Sequence, residues 1–235
     1  MLNLILAESA LERIPKPLWN HPSVFKMAER LSKQPGQLLL DRSFHHRAML
    51  DLKEAYKRGR PDIVHFCLLE ALGTPLNREY LLKTYIHTMD GHIIIPNPDV
   101  RLPRNYDRFT GLLEQLYDSQ RIINNGKTLL ELKRGNLSNL MDEVKPSYTL
   151  AFTRIGKPML LHQTMNRLAK EENPVIIIGA FPNGNFSEET KQISNELICI
   201  DQAPLEAWTV VSRAIYDYEL NTNLPQKRIG RTDIK

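Results

Sequence analysis

Short apolar runs alternate along this chain with longer segments in which apolar residues recur every three or four positions. Residues 2–6 form the first run, residues 21–33 carry the first helical period, and residues 37–40 form a second short run. That alternation predicts an α/β chain. Segments 44–57 and 62–72 set Met49, Leu52, Ala55 and Tyr56, then Ile63, Phe66, Cys67 and Ala71, at helical spacing. They predict two amphipathic helices flanking the charged turn Arg58-Gly59-Arg60-Pro61. Between Leu82 and Ile95 two β-like stretches surround Met89-Asp90-Gly91, whose Asp-Gly pair is a hairpin signal. The Pro-rich stretch 96–103 breaks regular structure, and residues 104–116 read as a helix with Pro103 placed for its first turn. Residues 133–146 are the most polar stretch and are expected to form a flexible connection.

The last third is the most regular. Residues 148–152, 174–178 and 196–200 are apolar strand segments, with helical periods at 159–170 and 204–218. Three buried strands with helices between them predict a parallel sheet.

Composition adds bounds to this picture. With 235 residues, 42% of them hydrophobic and 25% charged, the chain can bury a substantial core as one large domain or one domain with an insertion. The 31 Lys and Arg against 27 Asp and Glu give a net charge of +4, which permits an anionic partner without requiring one. Cys67 and Cys199 belong to no CxxC or zinc-type spacing and read as free core thiols. The first fifteen residues lack the features of a signal peptide. No segment approaches the roughly 18 apolar residues of a membrane span. The expectation is a soluble, cytoplasmic protein without a membrane partner.

Three constellations bear on chemistry. Arg101, Arg104 and Arg108 are spaced three and four apart, so those inside the predicted helix share a face with Arg101 at its entrance. Such a ridge suits phosphate groups, while a solvated face offset by Asp107 gives the same spacing. Lys53, Lys57, Arg58 and Arg60 form a second basic cluster, followed by Asp62 at a helix start, where a carboxylate either caps backbone N–H groups or holds the Arg60 guanidinium. Gly179 follows an apolar strand, and Gly184 comes five residues later. That loop either brings backbone close to a ligand or is a plain strand-to-helix turn. The seven histidines form no HxxxH or Cys/His ligand set, no metal is expected, and no serine sits in a GxSxG elbow.

Taken together, Leu38-Leu39-Leu40-Asp41, RGRPDIVH at 58–65, YIHT at 85–88 and RLPRNYDRFTGLLEQL at 101–116 resemble one family. It is the pseudouridine-N1-specific small-subunit rRNA methyltransferase family of the SPOUT superfamily, in its compact archaeal form. The likeness continues through Gly179-Ala-Phe-Pro-Asn-Gly184 and Ile193-Ser-Asn195 to Glu206-Ala-Trp208, covering essentially the whole chain.

The resemblance implies an α/β fold of SPOUT type. It has a parallel sheet, a C-terminal deep trefoil knot, and an inserted globular loop and extension. Residues 1–235 would form a single domain, with about 40–140 carrying the insertion and RNA surface and about 147–220 the knotted cofactor-binding part. It also implies S-adenosyl-L-methionine as methyl donor, S-adenosyl-L-homocysteine as product, and a homodimer as active unit. Arg60, Arg101, Arg104 and Arg108 match the family's RNA-contacting arginines, with Asp62 placed to stabilise Arg60 and a possible participant in proton transfer. Gly179 and Gly184 match the cofactor loop, and Thr153 is assigned to the same pocket. Leu197, Ile198, Cys199, Ile200, Asp201 and Gln202 match the segment that holds adenine through main-chain groups. Here ELICIDQAP (196–204) replaces the family's Tyr-Pro-Leu-Ser-like stretch, a change that backbone contacts tolerate.

The function implied is methylation of N1 of a pseudouridine in small-subunit rRNA during ribosome biogenesis. A different RNA base or ring position is a variant of it. A structural pre-rRNA-binding assembly factor, with assembly proteins as further partners, is the alternative of a different class.

Overall fold

A computed structural model describes residues 1–230. Its strands are β1 (Leu2–Ser9), β2 (Leu82–Thr88), β3 (His92–Pro96), β4 (Arg121–Asn124), β5 (Lys127–Arg134), β6 (Tyr148–Pro158), β7 (Pro174–Gly179) and β8 (Glu196–Cys199). They form one mixed sheet in the order β4-β5-β3-β2-β1-β7-β6-β8. β1 is buried along its whole length and pairs in parallel with both β2 and β7, setting Leu4 opposite Thr84 and Ile176. β6 lies parallel to β7 and β8, with Ala151 opposite Ile177 and Leu197. The three C-terminal strands expected to be parallel are parallel. The hairpin at Met89-Asp90-Gly91 joins β2 to β3, with Gly91 at φ +79°.

The helices are α1 (Pro22–Leu31), α2 (Arg42–His45), α3 (Pro61–Gly73), α4 (Pro75–Arg78), α5 (Tyr106–Ser119), α6 (Leu137–Val144), α7 (Leu161–Leu168), α8 (Glu188–Gln192), α9 (Ala207–Asn221) and α10 (Leu224–Ile229). Alternation along the central strands divides the core. Leu4 and Leu6 face Val64 and Leu68 of α3 and Val211 and Ile215 of α9. Ile5 and Ala7 face the other way, toward Leu137 and Leu140 of α6. A smaller core gathers Ile14, Val24, Leu38, Leu40 and Met49 beneath α1. Glu219 of α9 accepts the Leu76 N–H at 2.7 Å, fastening α4 to α9. Both cysteines are buried and free, and burial pushes the Cys67 thiol up. Among the described residues, no helix is long and apolar enough to cross a membrane.

Four expectations are corrected. Residues 44–57 are not one helix: α2 stops after four residues, Glu54 takes φ +53°, and the Arg42 guanidinium donates to the Ala55 carbonyl. Met49 is buried as its spacing implied, yet turns place it there, because the chain must bring Lys57 and Arg58 back to carboxylates at the end of β1 and just beyond it. Residues 37–40 form no strand; Leu39 makes one isolated bridge to Arg13, and its N–H goes to the Glu114 carboxylate. The polar stretch 133–146 is ordered: it ends β5 and continues as α6, capped by Asn136 and anchored by buried Leu137 and Leu140. Its polarity belongs to one face of an amphipathic helix. α5 starts at Tyr106 with Asn105 as its cap, so Arg104 and Pro103 lie before the helix. The hairpin β4–β5 across Asn125-Gly126 had no counterpart in the apolar pattern, because β4 is largely exposed.

His45 offers a test of the packing around α2. Its buried Nδ1 accepts the Asp41 N–H at 3.0 Å, and burial holds its pKa below the usual range. The neutral form is therefore the native one. Its contribution is complete above the unfolded pKa of about 6.5 and is lost as pH falls below that value. We expect the melting temperature to fall more steeply from about pH 7.5 to 5.5 in the wild type than in His45→Asn, whose amide oxygen replaces Nδ1 and does not titrate. Equal slopes in the two proteins would remove His45 as a source of the pH dependence.

Candidate functional site

The carboxyl ends of β6, β7 and β8 meet the loop 179–187 and the segment 200–206, where ligands of open α/β sheets bind. A cavity of about 510 Å³ opens there, lined by Arg60, Thr153, Arg154, Gly179, Gly184 and Glu206 among others. A lobe of about 100 Å³ adjoins it, walled by Ile198, Ile200, Leu205 and Val210 with Asp201 beside them. The two share Phe152, Thr153, Arg154, Leu205 and Val210, so they form one cleft with an apolar end. Such dimensions fall in the range of roughly 300–1,000 Å³ common to small-molecule sites.

Local backbone explains why the cleft exists. The register of β6 on β8 shifts between Phe152 and Lys157, so residues 153–156 leave the ladder, and Thr153 and Arg154 border the cleft. Bulges often re-aim side chains beside functional sites. Gly156 lies against backbone: an added Cβ would stand 2.6 Å from Ile198 N and the Leu197 carbonyl carbon. At Gly179 a Cβ would stand 2.6 Å from the Phe181 ring, and Gly184 takes φ +100° with its Cβ position 2.9 Å from Tyr56. Both loop glycines are thus required by close approach.

Beneath the loop lies a buried ion pair. The Lys57 ammonium donates to Glu8 Oε2 at 2.7 Å, while Glu8 Oε1 accepts the Ser187 N–H at 2.8 Å and the Thr190 hydroxyl at 2.7 Å. Burial opposes ionisation of Glu8, but the bonds from Lys57, Thr190 and Ser187 outweigh it and hold the carboxyl below its usual range. Lys57 also sits 4.5 Å above the Phe181 ring, which meets Phe186 edge-on at 5.7 Å. Arg58 pairs bidentately with Glu12 at 2.7 and 2.5 Å. Burial raises the Glu12 pKa despite that partner. Two members of the predicted basic cluster are therefore structural.

Arg60 reaches the cleft. Its Nε and a terminal nitrogen donate to the two Asp62 oxygens at 2.8 and 2.7 Å, and no side chain caps α3. Asp62 thus holds the guanidinium, settling the choice the sequence left open. The bonds to Asp62 push the Arg60 pKa up.

Arg101, Arg104 and Arg108 are exposed, and among the described residues their guanidiniums make no hydrogen bond or ion pair. Their segment is fixed from behind. His65 Nε2 bonds the Pro103 carbonyl at 2.7 Å, its ring stacks on Phe109 at 4.1 Å, and Tyr106 donates to Asp41. Arg101 and Arg104 border a separate groove beside α3, whereas Arg108 borders neither that groove nor the cleft. Of the segment assigned to adenine, Ile198, Ile200 and Asp201 line the cleft, while Leu197, Cys199 and Gln202 do not. Among the described residues no group of three His, Cys, Asp or Glu side chains could hold a metal ion. Sequence reasoning missed Arg154, Asn183 and Leu205 as lining residues. Arg154 was hidden because the apolar run ends at Phe152, two residues before the bulge delivers it.

Comparison with known proteins agrees with this geometry. The chain is 39% identical over 219 residues to the ribosomal RNA small subunit methyltransferase Nep1 of Thermococcus onnurineus, covering 93% of this chain and 98% of the relative. It is 44% identical over 222 residues to the Nep1 of Staphylothermus marinus, covering 93% and 95%. A crystal structure of Archaeoglobus fulgidus Nep1 bound to S-adenosylhomocysteine superposes with a TM-score of 0.84 at 37% identity, covering 94% of this chain and 98% of that one. Residues 4–219 match the model of the EMG1/NEP1 methyltransferase family, and the chain belongs to that family.

Proposed function

We propose that this protein transfers the methyl group of S-adenosyl-L-methionine to N1 of a pseudouridine in small-subunit rRNA. The observation that carries the reading is the cleft itself, where an apolar lobe, a close-packed glycine loop and the Arg60–Asp62 pair share one cavity. The fit to the donor is physical: the lobe suits a flat adenine, and loop 179–184, held close by packing against Phe181 and Tyr56, borders the same cleft. The donor supplies a methyl group on a positively charged sulfur. The protein's share is alignment and exclusion of water. Support also comes from the relatives named as small-subunit rRNA methyltransferases and from the bound S-adenosylhomocysteine in the Archaeoglobus structure.

On this reading Thr153, Arg154, Gly179, Gly184 and the backbone of 197–202 hold the donor. Arg60, Arg101, Arg104 and Arg108 hold RNA phosphates while the target base leaves its stack. Asp62 has both oxygens committed to Arg60, which supports a positioning role over a proton-accepting one. The same proposal includes one domain over 1–235, a knotted threading of about 147–220, a homodimer and a cytoplasmic location. Encounters with other small-subunit assembly proteins also belong to it.

Purified protein, labelled S-adenosyl-L-methionine and two stem-loops differing only by uridine or pseudouridine at the target test the reaction. We expect label in the pseudouridine RNA alone; tight binding without label in either would favour the assembly-factor role instead. Arg104→Ala should weaken RNA binding and lower the slope of log affinity against log salt by about one, with cofactor affinity unchanged. An unaltered slope would take Arg104 off the RNA. Gly184→Ala forces a Cβ at positive φ against Tyr56 and should weaken S-adenosylhomocysteine binding about tenfold by calorimetry, leaving RNA affinity intact. Wild-type cofactor affinity in that variant would show the loop does not contact the ligand.

A further inference from the structure

We propose that the groove between α3 and the loop 98–104 holds one unpaired nucleotide of the RNA strand that carries the methylated residue, a site apart from the cofactor cleft. It rests on the methyltransferase reading above. The groove encloses about 1100 Å³ and shares no lining residue with either part of the cleft. Leu69 and Leu72 line it from α3, and Val100 and Leu102 from the loop, giving apolar surface for the flat face of a base.

Polar groups match the rest of a nucleotide. Asn77 is 3% exposed and donates from Nδ2 to the Leu72 carbonyl at 3.0 Å and the Pro98 carbonyl at 2.9 Å, bridging α3 to the loop. Both donated bonds come from the nitrogen. The amide oxygen accepts none among the described residues and is free for a base N–H. Arg78, Arg101 and Arg104 line the same groove, all exposed and none ion-paired among the described residues. The lining carboxylate, Asp99, is already engaged by Lys127 and by the Tyr80 hydroxyl. Three unpaired guanidiniums around apolar walls fit an anion with a flat apolar part, and guanidinium forks suit phosphate. Arg108, on the first turn of α5 four residues beyond Arg104, is likewise exposed and makes no ion pair among the described residues.

Gly73 permits a clean block, since it lines the groove and a Cβ there meets nothing within 4 Å. The experiment measures affinity for the pseudouridine stem-loop and for versions with a single abasic nucleotide at each flanking position. Wild type should lose roughly tenfold at one flanking position, as loss of one stacked base predicts. Gly73→Phe should bind intact RNA roughly tenfold more weakly and be indifferent to that abasic position, with melting temperature and S-adenosylhomocysteine affinity unchanged. Arg78→Glu provides a second variant and should weaken the intact RNA similarly. Wild-type affinity in both variants, or an unchanged abasic profile in Gly73→Phe, overturns the groove. So does a change in sedimentation without RNA, which would assign the surface to a second copy of the chain. If wild type neither binds nor methylates any stem-loop, the methyltransferase reading itself fails.

Discussion

One buried carboxylate holds the functional end of this molecule together. Glu8 sits where the pairing of β1 with β2 shifts register, in a left-handed conformation at φ +49° that turns its side chain off the strand path. It meets Lys57 from one side, and Ser187 and Thr190 from the other. Four segments thus converge on one group: the end of β1, the turn 55–57, the glycine loop and α8. Desolvation makes such a pair a poor source of net stability, but losing one partner costs about 3–5 kcal/mol because the other is left charged and unpaired. The arrangement therefore acts as a specification, since displacing any one of these segments leaves a buried charge or polar group without its partner. Gly184 rests against Tyr56 and Lys57, so the geometry of the cleft depends on the same pair.

The basic residues divide by where their charge goes. Lys57 and Arg58 spend theirs on buried carboxylates, and Arg60 is shared between Asp62 and the cleft. Arg78, Arg101, Arg104 and Arg108 face solvent unpaired among the described residues. A net charge of +4 reveals none of this. At the groove beside α3 the field that an anionic partner meets comes from Arg78, Arg101 and Arg104, the last two carried on a loop fixed by neutral contacts such as the bond from His65 to Pro103.

Legibility in the sequence followed burial. β1, β7 and the first half of β6 are packed on both faces, so their apolar runs announced strands and the α/β class. α3 and α9 were found because their apolar residues are fixed by the sheet beneath them. What escaped detection depends on contacts made across long sequence separations. Residues 44–57 look helical until Glu8 and Glu12 draw Lys57 and Arg58 inward. Residues 133–146 look loose until Leu137 and Leu140 find the second face of the sheet. In the site, the glycine loop and Arg60 stood out as motifs, and the lining residues Thr153, Ile198, Ile200 and Asp201 came only with the resemblance to a family, which also named Leu197, Cys199 and Gln202 that do not line the cleft. Arg154 and Leu205 could not be found, because only the β6 bulge and the turn after β8 bring them to the cleft.

The place of β1 in the sheet has a consequence for how the chain is made. Its hydrogen bonds to β2 close a loop of about 80 residues, and those to β7 close one of about 170, with Asn3 opposite Lys83 and Val175. Contacts so distant in sequence slow folding, since loop entropy is spent before they form. During synthesis β1 waits with one apolar edge bare until β7, about 170 residues later, has followed it. An uncovered edge of that kind pairs readily with other nascent chains. Rapid pairing of β1 with β2 and early cover from α3 would leave a single edge to protect, and the cleft, built on β6, β7 and β8, would become competent only once those strands and the turn after them have emerged.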